Sequence, residues 1–219
     1  MRTQVALLLG VGLATSACGQ SRSSTTASVP ADIRYFMQPE PSGPARSYVA
    51  RHPDTLLRAR LSRAGVLLQL VGRDDSPALD LQAAAWGCAG ELEPLAEAEP
   101  TAAEGQPQTV RYAERARGFL EWYEHGPRGL EQGFTLERLP ACARAGGTLQ
   151  IALKTSAGWS SEASAEQRAA IFRDKSGNTV HYTDAFARGA DGREHAVRIT
   201  QLGAGVALEV ETTGVALPL

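Results

Sequence analysis

Apolar and polar side chains alternate with a period of two over much of the chain. Leu57, Ala59 and Leu61 are separated by Arg58 and Arg60; Leu79, Leu81, Ala83 and Ala85 lead up to Trp86; Leu149, Ile151 and Leu153 repeat the pattern. His195, Val197 and Ile199 face Val206, Leu208 and Val210 across Leu202-Gly203-Ala204-Gly205. That period places the apolar residues on one face of a strand. Val66 to Val71 reads as a more uniformly apolar strand, and Val110 with Tyr112 opens another. Turn residues punctuate these runs at Ser62-Arg63-Ala64-Gly65, Arg73 to Pro77, Asp174-Lys175-Ser176-Gly177 and Asp191-Gly192. Strands broken by turns at intervals of about 8–12 residues predict an all-β fold, an antiparallel β-sandwich of about a dozen short strands. Two stretches depart from the pattern. Glu91 to Gly105 is acidic, alanine-rich and interrupted by Pro94 and Pro100, which predicts an exposed loop. Ser164 and Gln167 have capping-box spacing, compatible with one short helix over 160–167.

The first residues follow a different rule. Arg2 precedes the apolar run Val5 to Ala14, and Thr15-Ser16-Ala17 supplies small residues before Cys18. The run is shorter than the roughly 20 residues a membrane-spanning helix needs, so residues 1–17 read as a secretory leader. A cysteine directly after small residues resembles the bacterial lipobox, with Thr15 standing where an aliphatic residue is commoner. On this resemblance Cys18 becomes the lipidated first residue of the processed protein, and the alternative is cleavage that leaves a free thiol. Residues 18–45 are expected to be a flexible linker, rich in Ser and Thr and ending near Pro39-Glu40-Pro41-Ser42-Gly43-Pro44. Within it, Ile33 to Met37 reads equally as a short docked strand or as more linker. The folded domain is expected over 46–219.

Composition narrows the classes. A chain of 219 residues with 43% hydrophobic content can bury an ordinary core. Its net charge is −2 and its 22 basic residues are scattered, so no face is built to collect phosphates and a nucleic-acid partner is not expected. With Cys18 assigned to lipid, Cys88 and Cys142 remain, and in an exported protein they are expected to pair. No CxxC or HxxxH spacing accompanies them, so no metal or other cofactor is expected.

The densest cluster of aromatic, Gly and Pro residues is Gly118 to Pro140. It predicts a strand from Phe119 to Glu124, a turn over His125-Gly126-Pro127-Arg128-Gly129, and a strand from Leu130 to Arg138. Candidate binding residues are Trp122, Tyr123, His125, Glu131 and Gln132. Of two adjacent aromatics on a strand one faces the core and the other faces out, where it can stack on a sugar. The competing reading makes both rings structural, with Gly129 and Gly133 serving backbone geometry and Glu131 and Gln132 satisfying turn amides. His125 near Glu121, Glu124 and Glu131 has the raw material of acid–base catalysis, and His181 with Asp184 and His195 with Asp191 form weaker pairs. No nucleophile elbow, HExxH or P-loop supports an enzyme.

Glu121-Trp122-Tyr123, then Gly126-Pro127, then Gly129 to Leu136 (GLEQGFTL), resembles the N-terminal β-rich module of myxobacterial FG-GAP (integrin-α-like) repeat surface proteins. Weaker resemblance extends over about Tyr48 to Leu219. It implies an exported β module at a bacterial surface. This sequence contains no Phe-Gly pair and no D-x-D-x-D-G loop, so calcium binding and integrin-like adhesion do not carry over. The expected function is a lipid-anchored, non-enzymatic surface-interaction or structural module in the bacterial envelope. It would meet the membrane through its anchor and a glycan or surface protein through the domain. A carbohydrate-binding lipoprotein is the alternative, with a hydrolase third.

Overall fold

The computed structural model describes residues 32–41, 46–72, 77–144 and 146–219, together with the backbone of Val5–Gly10. Cys18, the rest of the expected leader and residues 18–31 lie outside the described residues. Among the described residues seventeen strands, numbered in chain order, pair antiparallel throughout and form a β-sandwich.

One sheet runs β2 (Gln38–Pro39), β3 (Tyr48–Arg51), β4 (Leu57–Ser62), β5 (Gly65–Leu70), β6 (Leu79–Cys88), β12 (Thr148–Thr155), β17 (Gly205–Glu211) and β16 (Glu194–Leu202). β7 (Glu91–Pro94) pairs with the far end of β6. The facing sheet runs β8 (Pro100–Ala103), β9 (Gln106–Ala116), β10 (Phe119–Gly126), β11 (Gly129–Leu136), β1 (Val5–Gly10), β15 (Thr179–Arg188), β14 (Ala170–Asp174) and β13 (Trp159–Ala163).

Two segments pass from sheet to sheet and form the corners. The start of β16 pairs with the end of β15, with Phe186 opposite Ala196, and its remainder pairs with β17. On the other side, the chain between β7 and β8 leaves β6 with Leu95 N–H donating to the Ala84 carbonyl at 2.9 Å. It joins β9 with Ala96 N–H donating to the Arg115 carbonyl at 2.8 Å. Between the sheets lies one contiguous core that includes Leu61, Leu79 and Ile199 from the first and Phe119, Phe134, Phe172 and Tyr182 from the second.

The alternation read from sequence holds at β4, where Leu57, Ala59 and Leu61 are buried, and in β16–β17, where Ile199 lies opposite Leu208. In β6 it is interrupted. Ala83 pairs with Leu153 and Ala85 with Ala152, leaving Ala84 as an extra residue. This bulge shifts the inward parity, so Trp86 rather than Ala85 enters the core and meets Phe119 edge-on at 5.2 Å.

Three expectations are corrected. The acidic stretch after Cys88 holds β7 and β8; Pro94 ends one strand and Pro100 begins the other, positions where the missing N–H breaks no ladder. No helix forms over 160–167: β13 occupies its first half, and Ser164 Oγ accepts from the Arg168 and Ala169 amides in a turn. Ile33–Tyr35 is a short 3-10 turn rather than a strand, and Tyr35 and Met37 are buried against the domain. Glu40 further pins this segment through Arg58 and Arg60 at 3.1 and 2.7 Å.

Cys88 and Cys142 form the expected disulfide across a sequence separation of 54. It ties the end of β6 to the 3-10 turn Ala141–Ala143 that leads out of the β10–β11 hairpin. Closing a loop of this length stabilises the fold by roughly 4 kcal/mol in the chain-entropy view. Replacing both cysteines by serine is therefore expected to lower unfolding free energy by about 2–5 kcal/mol, measured by denaturant titration.

Candidate functional site

Phe119–Gly126 and Gly129–Leu136 form a tighter hairpin than the sequence reading expected. Gly126 pairs with Gly129, leaving a turn of only Pro127 and Arg128, and Gly129 has a φ of 124° that favours glycine. His125 therefore belongs to the strand, not to the turn. The residues facing the core are Phe119, Glu121, Tyr123 and His125 on one strand and Leu130, Gln132 and Phe134 on the other.

Glu121, Tyr123 and Gln132 form the centre of a buried polar network. The Tyr123 hydroxyl donates to Glu121 Oε1 at 2.7 Å. Gln132 Nε2 donates both to Glu121 Oε1 and to the Tyr123 oxygen, each at 2.8 Å. Gln132 Oε1 accepts from the Tyr182 hydroxyl of β15 at 3.0 Å. The second Glu121 oxygen, Oε2, accepts from Arg115 Nη1, completing a fully buried ion pair. Burial raises the Tyr123 and Tyr182 hydroxyls well above the ordinary phenol range, and the nearby Glu121 charge raises them further. Both stay protonated and act as donors.

Arg115 was not among the sequence candidates, and its position explains why. Tyr112 lies opposite Glu121 while Ala116 lies opposite Phe119, so β9 carries extra residues here, and Glu114 takes a φ of 54°. The bulge turns Arg115 inward where regular alternation would place Glu114. Arg115 Nε also donates to the Ala96 carbonyl at 2.8 Å, anchoring the segment that passes between the sheets.

Trp122 faces away from the core yet is only 3% exposed. It lies directly opposite Gly133, and a Cβ built on that glycine would fall 1.9 Å from the indole Cζ2. The indole thus covers the strand where Gly133 has no side chain, and the two residues require each other. Glu124 and Glu131, opposite one another on the same outer face, are half-buried. Burial raises both carboxyls, and Glu131 is raised further by Glu124, with Arg128 opposing.

At the turn end, His125 packs edge-on against Tyr35 and His52, with ring centroids 5.3 and 5.7 Å away. His125 Nδ1 lies 3.0 Å from the Tyr35 carbonyl. His52 Nδ1 accepts from the Asp54 amide, so its Nε2 donates to the Pro127 carbonyl at 3.2 Å. Burial lowers the His125 pKa, and His52 lowers it further. His52 and Tyr35 were not among the site candidates either, since they come from segments more than 70 positions away.

Of the five candidate binding residues, Tyr123 and Gln132 are wholly buried, Trp122 and His125 nearly so, and Glu131 is half-buried on the opposite face. They do not gather in one pocket. Two clefts among the described residues, of about 580 and 570 Å³, are lined elsewhere: one by Arg138, Arg144 and Thr213, the other by Ile33, Phe36 and Arg51. Trp86 and Trp159 are buried too, with Trp159 Nε1 donating to the Pro77 carbonyl. Among the described residues no three His, Cys, Asp or Glu side chains converge as metal ligands. Also among them, no helix is long and apolar enough to cross a membrane. No protein-family model, curated protein or solved structure matches this chain.

Gly133→Ala is expected to destabilise by about 2 kcal/mol or more through the forced clash with Trp122. Trp122→Ala in the same chain should recover part of that loss, a coupling readable in a double-mutant cycle. Glu131→Gln removes a like-charge cross-strand pair and is expected to raise stability near pH 7 by a few tenths to about 1 kcal/mol. A carboxyl raised on folding binds more protons in the folded than in the unfolded state, so its destabilising effect appears as pH rises above the ordinary value of 4.5. The gain should therefore vanish below that pH in paired thermal melts.

Proposed function

We propose that the chain is a lipid-anchored, exported β-sandwich of the bacterial cell envelope that acts without catalysis as a surface-interaction or structural module. The observation that carries this reading is the inward turn of the signature itself. Glu121, Tyr123 and Gln132 hydrogen-bond to one another, and Trp122 is packed on Gly133. A motif whose inward residues Glu121, Tyr123 and Gln132 satisfy one another inside a sandwich is accounted for by folding requirements. The disulfide supports an oxidising destination, since such bonds persist outside the cytoplasm. The same burial weighs against Trp122 and Tyr123 as a sugar-stacking platform. The resemblance to the β-rich module of FG-GAP repeat proteins belongs to this reading, because a domain of that kind is displayed at a surface.

The anchor is tested at Cys18. The wild-type protein should partition into the detergent phase of an envelope extract, with an N-terminal peptide carrying the mass of acyl chains. Cys18→Ser should move it to the aqueous phase. Equal partitioning of the two proteins would overturn the anchor.

A further inference from the structure

The expected leader and the sheet meet at one place. Val5–Gly10 lies between β11 and β15, with Val5 opposite Phe134, Leu7 opposite Gln132 and Leu9 opposite Leu130 on one side. On the other side Leu8 is opposite Thr183 and Leu9 opposite Tyr182. Both pairings are antiparallel, so β11 and β15 run parallel to each other with one strand between them.

The backbone of β11 needs that strand. Leu136 exchanges two hydrogen bonds with Leu219, at 2.6 and 2.9 Å. In an antiparallel ladder, residues two apart turn their N–H and C=O toward the same neighbour. Phe134, Gln132 and Leu130 therefore present theirs to the edge that β1 occupies, while the alternate residues serve β10. With that strand in place all three are 0% exposed. Without it, their N–H and C=O groups line a slot one strand wide, an open edge of the kind that pairs with an added extended chain. Closing β11 directly onto β15 would require a shift of about 4.8 Å. It would also disturb the Tyr182–Gln132 bond that spans the gap on the core side and the Leu219–Leu136 pairing at its end.

We infer that the cleft between β11 and β15 is a strand-acceptor site. Once residues 1–17 are removed, it takes an extended apolar segment of another polypeptide in place of Val5–Gly10. The inference rests on the reading that the leader is cleaved before Cys18. The occupant is a run of about six residues lying antiparallel to both edges, its main chain pairing with Leu130, Gln132 and Phe134. Its inward positions are apolar, to meet Leu130, Phe134 and Tyr182. Proline is excluded at positions whose N–H enters the ladder.

The test uses the processed protein purified from the envelope, with its N-terminus defined by intact mass. The probe is a lysine-flanked synthetic peptide of sequence VALLLG, alongside the same peptide carrying Leu7→Pro. The peptide should bind and slow hydrogen exchange at the Leu130, Gln132 and Phe134 amides at least tenfold, and the proline peptide should bind at least tenfold more weakly. Equal binding by both peptides, or amides already protected with no peptide bound, would overturn the acceptor site while leaving the anchor intact. A mass that includes residues 5–10 would instead overturn the anchor reading and, with it, occupancy by another chain.

Discussion

The structure depends on a carboxylate that cannot be left alone. Glu121 sits in the middle of a β-sandwich, where an isolated negative charge is disfavoured by several kcal/mol even after relaxation. Arg115 neutralises it, while Tyr123 and Gln132 fill the remaining acceptor positions. Because Arg115 also holds Ala96, the ion pair links the hairpin to one corner of the sandwich. Because Gln132 holds Tyr182, it links β11 to β15 across the strand between them. Replacing such a cluster by well-packed apolar residues is often neutral or stabilising. It also bears on register: a one-residue slip of β10 against β11 would send Glu121 and Tyr123 to the outer face, away from Gln132.

The outer face of the hairpin is governed by shape rather than charge. Gly133 leaves a notch in the strand, and Trp122 fills it. Next to this pair, Glu124 and Glu131 stand opposite one another with raised affinity for protons, an arrangement that opposes folding at neutral pH. The turn end is held from outside the sheets, by Tyr35 and His52 packed around His125. A stretch of chain ahead of the first long strand is thereby fastened to the hairpin, so the path from the expected tether into the domain is fixed at the turn.

Two features bear jointly on how the domain meets other molecules. Glu121, Trp122, Tyr123 and Gln132 of the signature are consumed in packing and internal hydrogen bonds, which directs attention from the motif to the sheet edges. The facing sheet is continuous only while a strand lies between β11 and β15, and the chain fills that place with a segment read as a leader. Edge groups in such a position are the usual substrate of strand addition.

The sequence by itself determined the class of the fold and most of its strands, because side-chain alternation is a property of the extended chain and needs no partner. It also made Cys88–Cys142 the expected pairing, once Cys18 was set aside as the expected lipid site. It could not place Arg115, because a bulge with Glu114 at positive φ reverses the alternation that sequence reasoning uses, and Ala84 defeats the same rule in β6. It misread 91–105 as a loop, since prolines at strand ends and inside strands look alike without the neighbouring strand. In the hairpin the residues were legible as a specific run, but their roles were not. Trp122 facing out and yet buried, Gln132 facing in and fully bonded, and His125 enclosed by Tyr35 and His52 all follow from contacts between segments far apart in the chain, which only the folded arrangement brings together.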